Sequence, residues 1–298
     1  MPIMNTQPRP LKDTPMISVK QLLGQSLALL RAHPVLLFPP LAADILIAMV
    51  APGRGPGGFG GMVLAALIQL AIMAGWLTMI AKVSFGEKAT WDDFFTSIGR
   101  HFWSLIGGGF NQILLMLAIG FPMLIVAALW IGQAGATRLE TELRPFLDGK
   151  ADVSTIAQAL SPESMQVASQ LTMVGLLWFL AFAVMSFVLI FWQQAVVLRH
   201  MRWLPAWRES WTVVKSNFKG TMALVTVVSL AQGAAIALAF LLPQLGMVAA
   251  ALAAVGLLLA RVYASVATTR FYMAAVDVSA ESLKTSDETP PSPKGPQA

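Results

Sequence analysis

Six long apolar runs separated by short connections restrict what this chain can fold into more than any other feature. A helix needs about 20 residues to cross about 30 Å of hydrocarbon. Hydrophobic residues make up 56% of the chain and charged residues 12%, so a water-soluble fold would expose too much apolar surface. The sequence predicts an all-α, polytopic membrane protein with six transmembrane helices in three helical hairpins. The predicted spans are Pro34–Val50, Met62–Val83, Phe102–Ile131, Leu171–Leu198, Gly220–Leu242 and Gly246–Thr268.

Basic residues are distributed unequally between the two sides of these runs. Of the 20 Lys and Arg residues, 16 lie before the first run, in the even-numbered connections or toward the C-terminus. Loops rich in Lys and Arg stay in the cytoplasm. We therefore expect a multi-pass protein of the bacterial inner membrane with both termini cytoplasmic. The basic residues are scattered over four segments, so no nucleic-acid partner is expected.

The predicted membrane domain covers residues 17–278, with an external segment at 133–170. Residues 1–16 and 279–298 are polar and are expected to be a disordered N-terminus and a disordered cytoplasmic tail. The first residues do not resemble a cleaved signal peptide. In the external segment, the pattern predicts one short helix around Arg138–Phe146 and a helix start at Ser161-Pro162-Glu163. This segment is interpreted as a connection, with a lid or docking surface as the alternative.

Three segments with helical apolar spacing precede the odd-numbered spans, and we call them the first, second and third amphipathic segments. They are Ser18–Arg31, Thr90–Phe102 and the residues from Pro205 onward. Each is expected to form a helix in the cytoplasmic interface. The expected anchors there are aromatic and basic, namely Trp91, Trp207, Trp211, Arg31, Arg100 and Lys215.

The three segments superpose without gaps. Leu23, Leu27 and Leu30 coincide with Trp91, Phe95 and Ile98, and with Trp207, Trp211 and Val214. The spacing between Leu23 and Trp91 is 68 residues, and between Trp91 and Trp207 it is 116. We interpret the chain as three repeats of an amphipathic helix followed by a hairpin. The alternative is that interfacial helices merely look alike.

The stretches S-L-A-L-L-R-A-H-P and S-W-T-V-V-K-S-N-F resemble a broad set of bacterial six-span membrane proteins. This set includes the membrane domain attached to some glycerophosphodiester phosphodiesterases and related families without assigned function. The resemblance covers most of residues 18–275 and implies a six-span fold. The catalytic barrel of those enzymes is not in this sequence, so their activity is not implied.

Ionisable side chains within spans are candidate functional residues. Asp44 lies within the first span, and it either couples protons, binds a cation, or hydrogen-bonds to a neighbouring helix as a protonated acid. Arg261 lies in the sixth span. The depth difference between the two residues, on the order of 10 Å at 1.5 Å per residue, predicts that Arg261 reaches toward cytoplasmic headgroups rather than pairing with Asp44.

Neutral polar residues in the spans are expected to join helices by hydrogen bonds. They are Asn111, Gln112, Gln193, Gln194 and Gln232. Gly107-Gly108-Gly109 is expected to permit close helix approach or bending. His33, His101 and His200 lack the spacing of a metal site, and no metal or cofactor is expected.

The sequence contains no catalytic motif that we can identify. The leading hypothesis is a non-enzymatic accessory factor that binds membrane lipids or another membrane protein. A transporter or permease subunit with a polar path near Asp44, working with a soluble ATPase, is the alternative. A lipid-metabolising membrane enzyme is the third.

The predicted topology can be tested by cysteine labelling, because the chain has no cysteine. Single cysteines at Gly57 and Ala151 should react with an impermeant maleimide added outside intact cells. Cysteines at Asn5, Lys88 and Ser292 should react only after the membrane is opened. Outside labelling at either terminus would contradict the orientation.

Overall fold

A computed structural model of the chain describes residues 18–50, 58–147, 156, 160–242 and 246–278. All elements in these ranges are helical. The predicted disordered termini, 1–16 and 279–298, lie outside the described residues. The helices are α1 (Val19–Ala32), α2 (Phe38–Val50), α3 (Gly58–Ser84), α4 (Trp91–Leu147), α5 (Pro162–Val188), α6 (Trp192–Leu198), α7 (Trp203–Ser216), α8 (Phe218–Leu241) and α9 (Met247–Val276).

The lengths and hydropathy of these helices fit a multi-pass membrane protein. Five helical stretches are long and apolar enough to cross a bilayer: Val63–Ser84, Trp91–Phe146, Pro162–Leu198, Phe218–Leu241 and Met247–Val276. A sixth is reached when the bent pair Val19–Ala32 and Pro34–Val50 is counted as one span. The prediction of an all-helical chain is therefore confirmed for the described residues, with five to six helices long and apolar enough to be candidate spans.

The first amphipathic segment is a separate helix, as predicted. Ser18 caps α1 by accepting a hydrogen bond from the Gln21 amide at 3.4 Å. The chain then bends by 96° and passes through a 3₁₀ turn, Pro34–Leu37, before α2 begins. The turn at Pro34 ends α1 because a proline disfavours helical geometry in the residue before it.

A long-range hydrogen bond compensates for proline at the start of α2. Pro40 has no N–H, so it cannot bond to the carbonyl of Leu36 four residues earlier. The indole Nε1 of Trp76, on α3, donates to that carbonyl at 3.0 Å. Leu36 and Trp76 are both buried, in a core that also includes Phe94 and Val262. This bond fixes the position of α2 on α3.

The second amphipathic segment differs from the prediction. It was expected to be an independent interfacial helix, but Trp91 begins a helix that runs on through the predicted third span to Leu147. The interior break in α4 falls at Gly132, which has φ 68° and ψ 164°. Phe102 has neither a proline nor a glycine directly after it to stop the helix, whereas Pro34 follows the first segment. The short helix predicted around Arg138–Phe146 is present, as part of the helical residues that follow Gly132 and end at Leu147.

The third amphipathic segment is α7, which begins at Trp203, two residues before the predicted Pro205. Asn217 separates it from α8. The fourth predicted span is interrupted between α5 and α6. Ser210 of α7 stabilises this interruption, since its hydroxyl donates to the Val188 carbonyl at 2.7 Å and accepts from the Phe191 amide at 3.1 Å.

The chain divides into two compact units. The larger contains Met1–Gly108 and Val188–Ala298, and the smaller contains Gly109–Phe187. In the larger unit α2 packs on α3 and α8 packs on α9, while α9 also contacts α1 and α3.

In the smaller unit, Ser161 begins α5 as predicted. Its hydroxyl accepts from the Ser164 amide at 3.2 Å, and its own amide donates to Glu142 at 2.9 Å. Arg138 pairs with Glu163. These contacts join the end of α4 to the start of α5.

We predict that Trp76→Phe destabilises the protein by about 1–3 kcal/mol, the typical effect of leaving a buried carbonyl without a donor. The phenylalanine ring keeps most of the apolar contact, so the loss reports the missing indole N–H. The measurement is the thermal midpoint of the purified protein in detergent. Trp103→Phe, at a side chain that is 76% exposed, is the control and should leave the midpoint unchanged. Equal midpoints for the two variants would contradict this role.

Candidate functional site

Each amphipathic segment makes a side-chain contact with a basic residue at the end of a predicted span. Lys82 of α3 pairs with Asp93 of α4 at 2.6 Å. Arg199, after α6, pairs with Glu209 of α7 at 2.5 Å. Arg270 of α9 donates to the Gln25 side chain of α1 at 2.9 Å. We call these contacts the three polar ties.

The polar ties occupy the same position of the sequence repeat. In the superposition of the three segments, Gln25, Asp93 and Glu209 coincide, since 68 and 116 residues separate them. In each tie the basic partner lies at the end of the predicted span that precedes the segment. For Gln25 that partner comes from the last span, so the order is cyclic. This arrangement favours true repetition over a chance likeness of interfacial helices.

A second shared position faces the packed interior. The residue directly after each tie residue is Ser26, Phe94 or Ser210, and these are 0%, 5% and 0% exposed. The predicted aromatic anchors point elsewhere, because Trp91 and Trp211 are 48% and 50% exposed. This shared position therefore faces inward in all three segments, including the ring of Phe94, while Trp91 and Trp211 lie on the outside. Trp207, the other predicted aromatic anchor, is half-buried.

Glycines allow aromatic rings to approach the helices closely. A Cβ atom on Gly75 would lie 2.3 Å from Phe94, and one on Gly108 would lie 2.3 Å from Trp192. Neither distance is tolerable for a real side chain. The predicted role of Gly107-Gly108-Gly109 in close helix approach is thus confirmed at Gly108.

A polar cleft of about 310 Å³ lies beside the Lys82–Asp93 tie. Its walls come from the end of α3, the first turns of α4 and the residues around the end of α6. It is lined by Thr78, Lys82, Asp92, Asp93, Thr96, Ser97, Arg100, His101, Val197 and His200. Arg100, His101 and His200 were predicted to lie near the cytoplasmic interface, but no sequence pattern places them in one cleft.

One side of α4 forms the floor of the cleft. Its residues there are spaced by four along the helix: Asp93, Ser97 and His101. Asp93 accepts hydrogen bonds from Lys82, at 2.6 Å, and from the amide of Thr90, at 3.0 Å. Ser97 contacts the Thr78 hydroxyl at 2.7 Å and the Ala74 carbonyl at 3.0 Å. These bonds hold the floor in one shape.

His101 contacts a second histidine of the cleft, His200. The imidazole Nδ1 of His200 lies 3.2 Å from Nε2 of His101, and the rings stack with centroids 4.9 Å apart. His101 is buried, while His200 is exposed. The backbone of His200 adopts the left-handed region with φ 51°, which is uncommon for residues with a side chain. One ring must donate and the other accept in this contact.

The histidines do not form a metal cluster in the part of the chain that the structure describes. No group of three or more His, Asp or Glu side chains suited to a metal ion occurs there. His33 instead follows the last turn of α1, where its amide donates to the Leu29 carbonyl.

The prediction that Arg261 reaches toward headgroups instead of pairing with Asp44 is wrong. Arg261 donates to both carboxylate oxygens of Asp44, at 2.8 and 2.6 Å, and to the Pro40 carbonyl at 3.1 Å. The rise of 1.5 Å per residue gives relative depth only where two helices run parallel. The bend before α2 and the long guanidinium side chain remove the mismatch. Asp44 and Arg261 keep 44% and 33% of their side-chain surface exposed.

The neutral polar residues are not gathered around this ion pair by any contact that we observe. Gln194 is 4% exposed, and its amide nitrogen can donate to the Ile190 and Phe191 carbonyls at 3.3 Å. Gln194 therefore supplies a donor to backbone carbonyls where its own predicted span is interrupted. The predicted role, joining two helices, is not observed for this residue. The others, Asn111, Gln112, Gln193 and Gln232, are half-buried.

We predict that Asp44 and Arg261 depend on each other. Asp44→Asn and Arg261→Gln should each lower the amount of folded protein in the membrane, because each leaves a charged partner unpaired. The double variant should recover part of the loss. Quantification by fluorescence-detected size exclusion measures this, with Lys88→Gln as a control. Single variants that behave like this control would show that the pair contributes nothing to folding.

Comparison with known proteins identifies one family. Residues 17–281 match the model described as "Domain of unknown function (DUF7847)". No curated protein and no solved structure matches the chain. The match covers most of the sequence, including all three amphipathic segments, both ion pairs of the ties and the cleft. The chain therefore belongs to the DUF7847 family.

Proposed function

We propose that this protein is a non-enzymatic accessory factor of the bacterial inner membrane. It would bind membrane lipids, or another membrane protein, through its amphipathic segments. The proposal rests mainly on one observation: each segment is joined to a span on one face and exposes large apolar side chains on the other. The exposed fractions are 44% for Leu27, 65% for Phe95 and 50% for Trp211.

Basic residues accompany these exposed rings. Arg31, Arg100 and Lys215 are all exposed, and they lie at the end of each helical segment or close to it. Aromatic rings beside Lys and Arg favour the headgroup region, where an apolar ring and a cation both find partners. Anionic lipids of the cytoplasmic leaflet would add electrostatic attraction.

The Asp44–Arg261 pair weakens the argument for the alternative, a transporter or permease subunit. Both carboxylate oxygens already accept hydrogen bonds, so binding a proton or cation there would require the pair to separate. The pair is still partly exposed among apolar helices, which is the observation that favours the transporter hypothesis. Proton uptake by proteoliposomes that is lost in Asp44→Asn, at equal protein content, would favour the transporter over our proposal.

The third hypothesis, a lipid-metabolising enzyme, has less support. His101 and His200 contact each other, and Asp93 accepts hydrogen bonds from Lys82 and from the Thr90 hydroxyl. These contacts join α3, α4 and the residues after α6, which is a structural role. Release of a phosphorylated headgroup from lipid vesicles by the purified protein would favour this hypothesis. A soluble ATPase that copurifies with the chain would instead favour the transporter.

We predict that the exposed rings of the segments lie at headgroup depth. Spin labels on single cysteines at Trp91 and Trp211 should show intermediate contact with both oxygen, which concentrates in hydrocarbon, and a water-soluble nickel complex. A label at Leu230, which is 68% exposed in the middle of α8, should contact oxygen alone and is the matched control. Labels at Trp91 and Trp211 that contact only the nickel complex would place the segments in water and contradict lipid binding.

A further inference from the structure

The polar cleft carries an inference beyond the role of the exposed rings. At about 310 Å³ it lies at the small end of the range found for ligand pockets, roughly 300–1,000 Å³. Its floor is fixed by bonds within the protein, from Lys82 to Asp93 and from Thr78 to Ser97. A ligand would therefore meet a preformed surface and would not have to order it.

The rim of the cleft carries both signs of charge. Asp92, Thr96 and Arg100 follow one another at spacings of four on α4, all exposed. This spacing places them along one side of the helix, with Asp92 and Arg100 about 12 Å apart along its axis at 1.5 Å per residue. The long arginine side chain can cover part of that distance. A carboxylate and a guanidinium thus stand at opposite ends of the same rim.

Formal charges along the cleft balance when the histidines are neutral. Lys82 and Arg100 are cationic, and Asp92 and Asp93 are anionic. A simple anion would find its opposite charge only at the Arg100 end of the rim, and a simple cation only at the Asp92 end. A zwitterion satisfies both ends, because its opposite charges can each face a side chain of opposite sign.

The aromatic rings beside the cleft indicate which zwitterion is the ligand. The exposed rings of Trp91, Phe95 and Trp103 belong to the same turns of α4, and such rings collect where hydrocarbon meets headgroups. A ligand at that depth that combines a cation with an anion is a zwitterionic phospholipid headgroup. An ammonium with three N–H donors suits a carboxylate, whereas a quaternary ammonium has none to give.

We propose that the cleft binds a phosphoethanolamine group, with its ammonium at Asp92 and its phosphate at Arg100 and His200. This inference rests on the proposed function, since it names the headgroup that the protein would recognise. Arginine is suited to phosphate because its planar fork can donate two hydrogen bonds. His200 adds a ring nitrogen at the exposed side of the histidine stack.

The test measures short-chain phospholipids bound to the full-length protein in detergent by native mass spectrometry. Phosphatidylethanolamine should bind at least tenfold more tightly than phosphatidylcholine or phosphatidylglycerol. Arg100→Gln should weaken its binding about tenfold or more. Asp92→Asn should remove the preference for phosphatidylethanolamine over phosphatidylglycerol. Lys88→Gln, which lies outside the cleft, is the matched control and should bind as the unchanged protein does.

A second arm distinguishes the source of the group. If the free compound is the ligand, glycerophosphoethanolamine should compete with the lipid at similar concentration. If the lipid is the ligand, the soluble compound should compete far more weakly. Either result supports the cleft as a phosphoethanolamine site.

Equal binding of the three lipids, or Arg100→Gln and Asp92→Asn variants that behave like Lys88→Gln, would overturn the proposal. This result would leave the spin-label depths unaffected, so failure of the cleft and failure of the proposed function are distinguishable. Thermal midpoints of the variants within the range of the control would show that lost binding does not come from lost folding.

Discussion

A polar contact between the end of one span and the next amphipathic segment is the constraint on which the described helices of the larger unit depend. Where the surrounding lipid is as apolar as the neighbouring helices, close packing and interhelical hydrogen bonds set the position of a helix. Lys82–Asp93, Arg199–Glu209 and Arg270–Gln25 supply specific partners at equivalent places of the repeat. With each segment fixed on one face, its opposite face remains available for lipid or for a partner.

The same constraint explains why polar residues gather beside the first turns of α4. A segment tied by Asp93 brings Ser97 and His101 to the same side of α4, because residues four apart lie above one another. These side chains then meet Thr78 and His200. The cleft is thus a consequence of how the second segment is attached. The Asp44–Arg261 pair belongs to a different place, where α2 meets α9, and its contacts indicate a structural role.

Much of the helical plan could be predicted from hydropathy and capping patterns. The long apolar helices, the separate first and third segments and the helix start at Ser161 all follow from local sequence. Three features did not, and each depends on a residue distant in the chain. Trp76 supplies the donor that Pro40 lacks, and Ser210 stabilises the interruption after Val188. Arg261 of α9 reaches Asp44 on α2, which follows the bend after α1. The cleft was also missed, although the superposition already aligned Gln25, Asp93 and Glu209.

Charge exchange across the two ionic ties tests the central claim most directly. We expect Lys82→Asp and Asp93→Lys each to lower the thermal midpoint, because each places like charges together, and the double exchange to restore much of it. Arg199→Glu and Glu209→Arg should behave in the same way. The exposed Arg138–Glu163 pair, outside the repeat, is the control and should show little effect, since exposed pairs contribute about 0–1 kcal/mol. Double variants that lose the sum of the single losses at both ties would contradict the account.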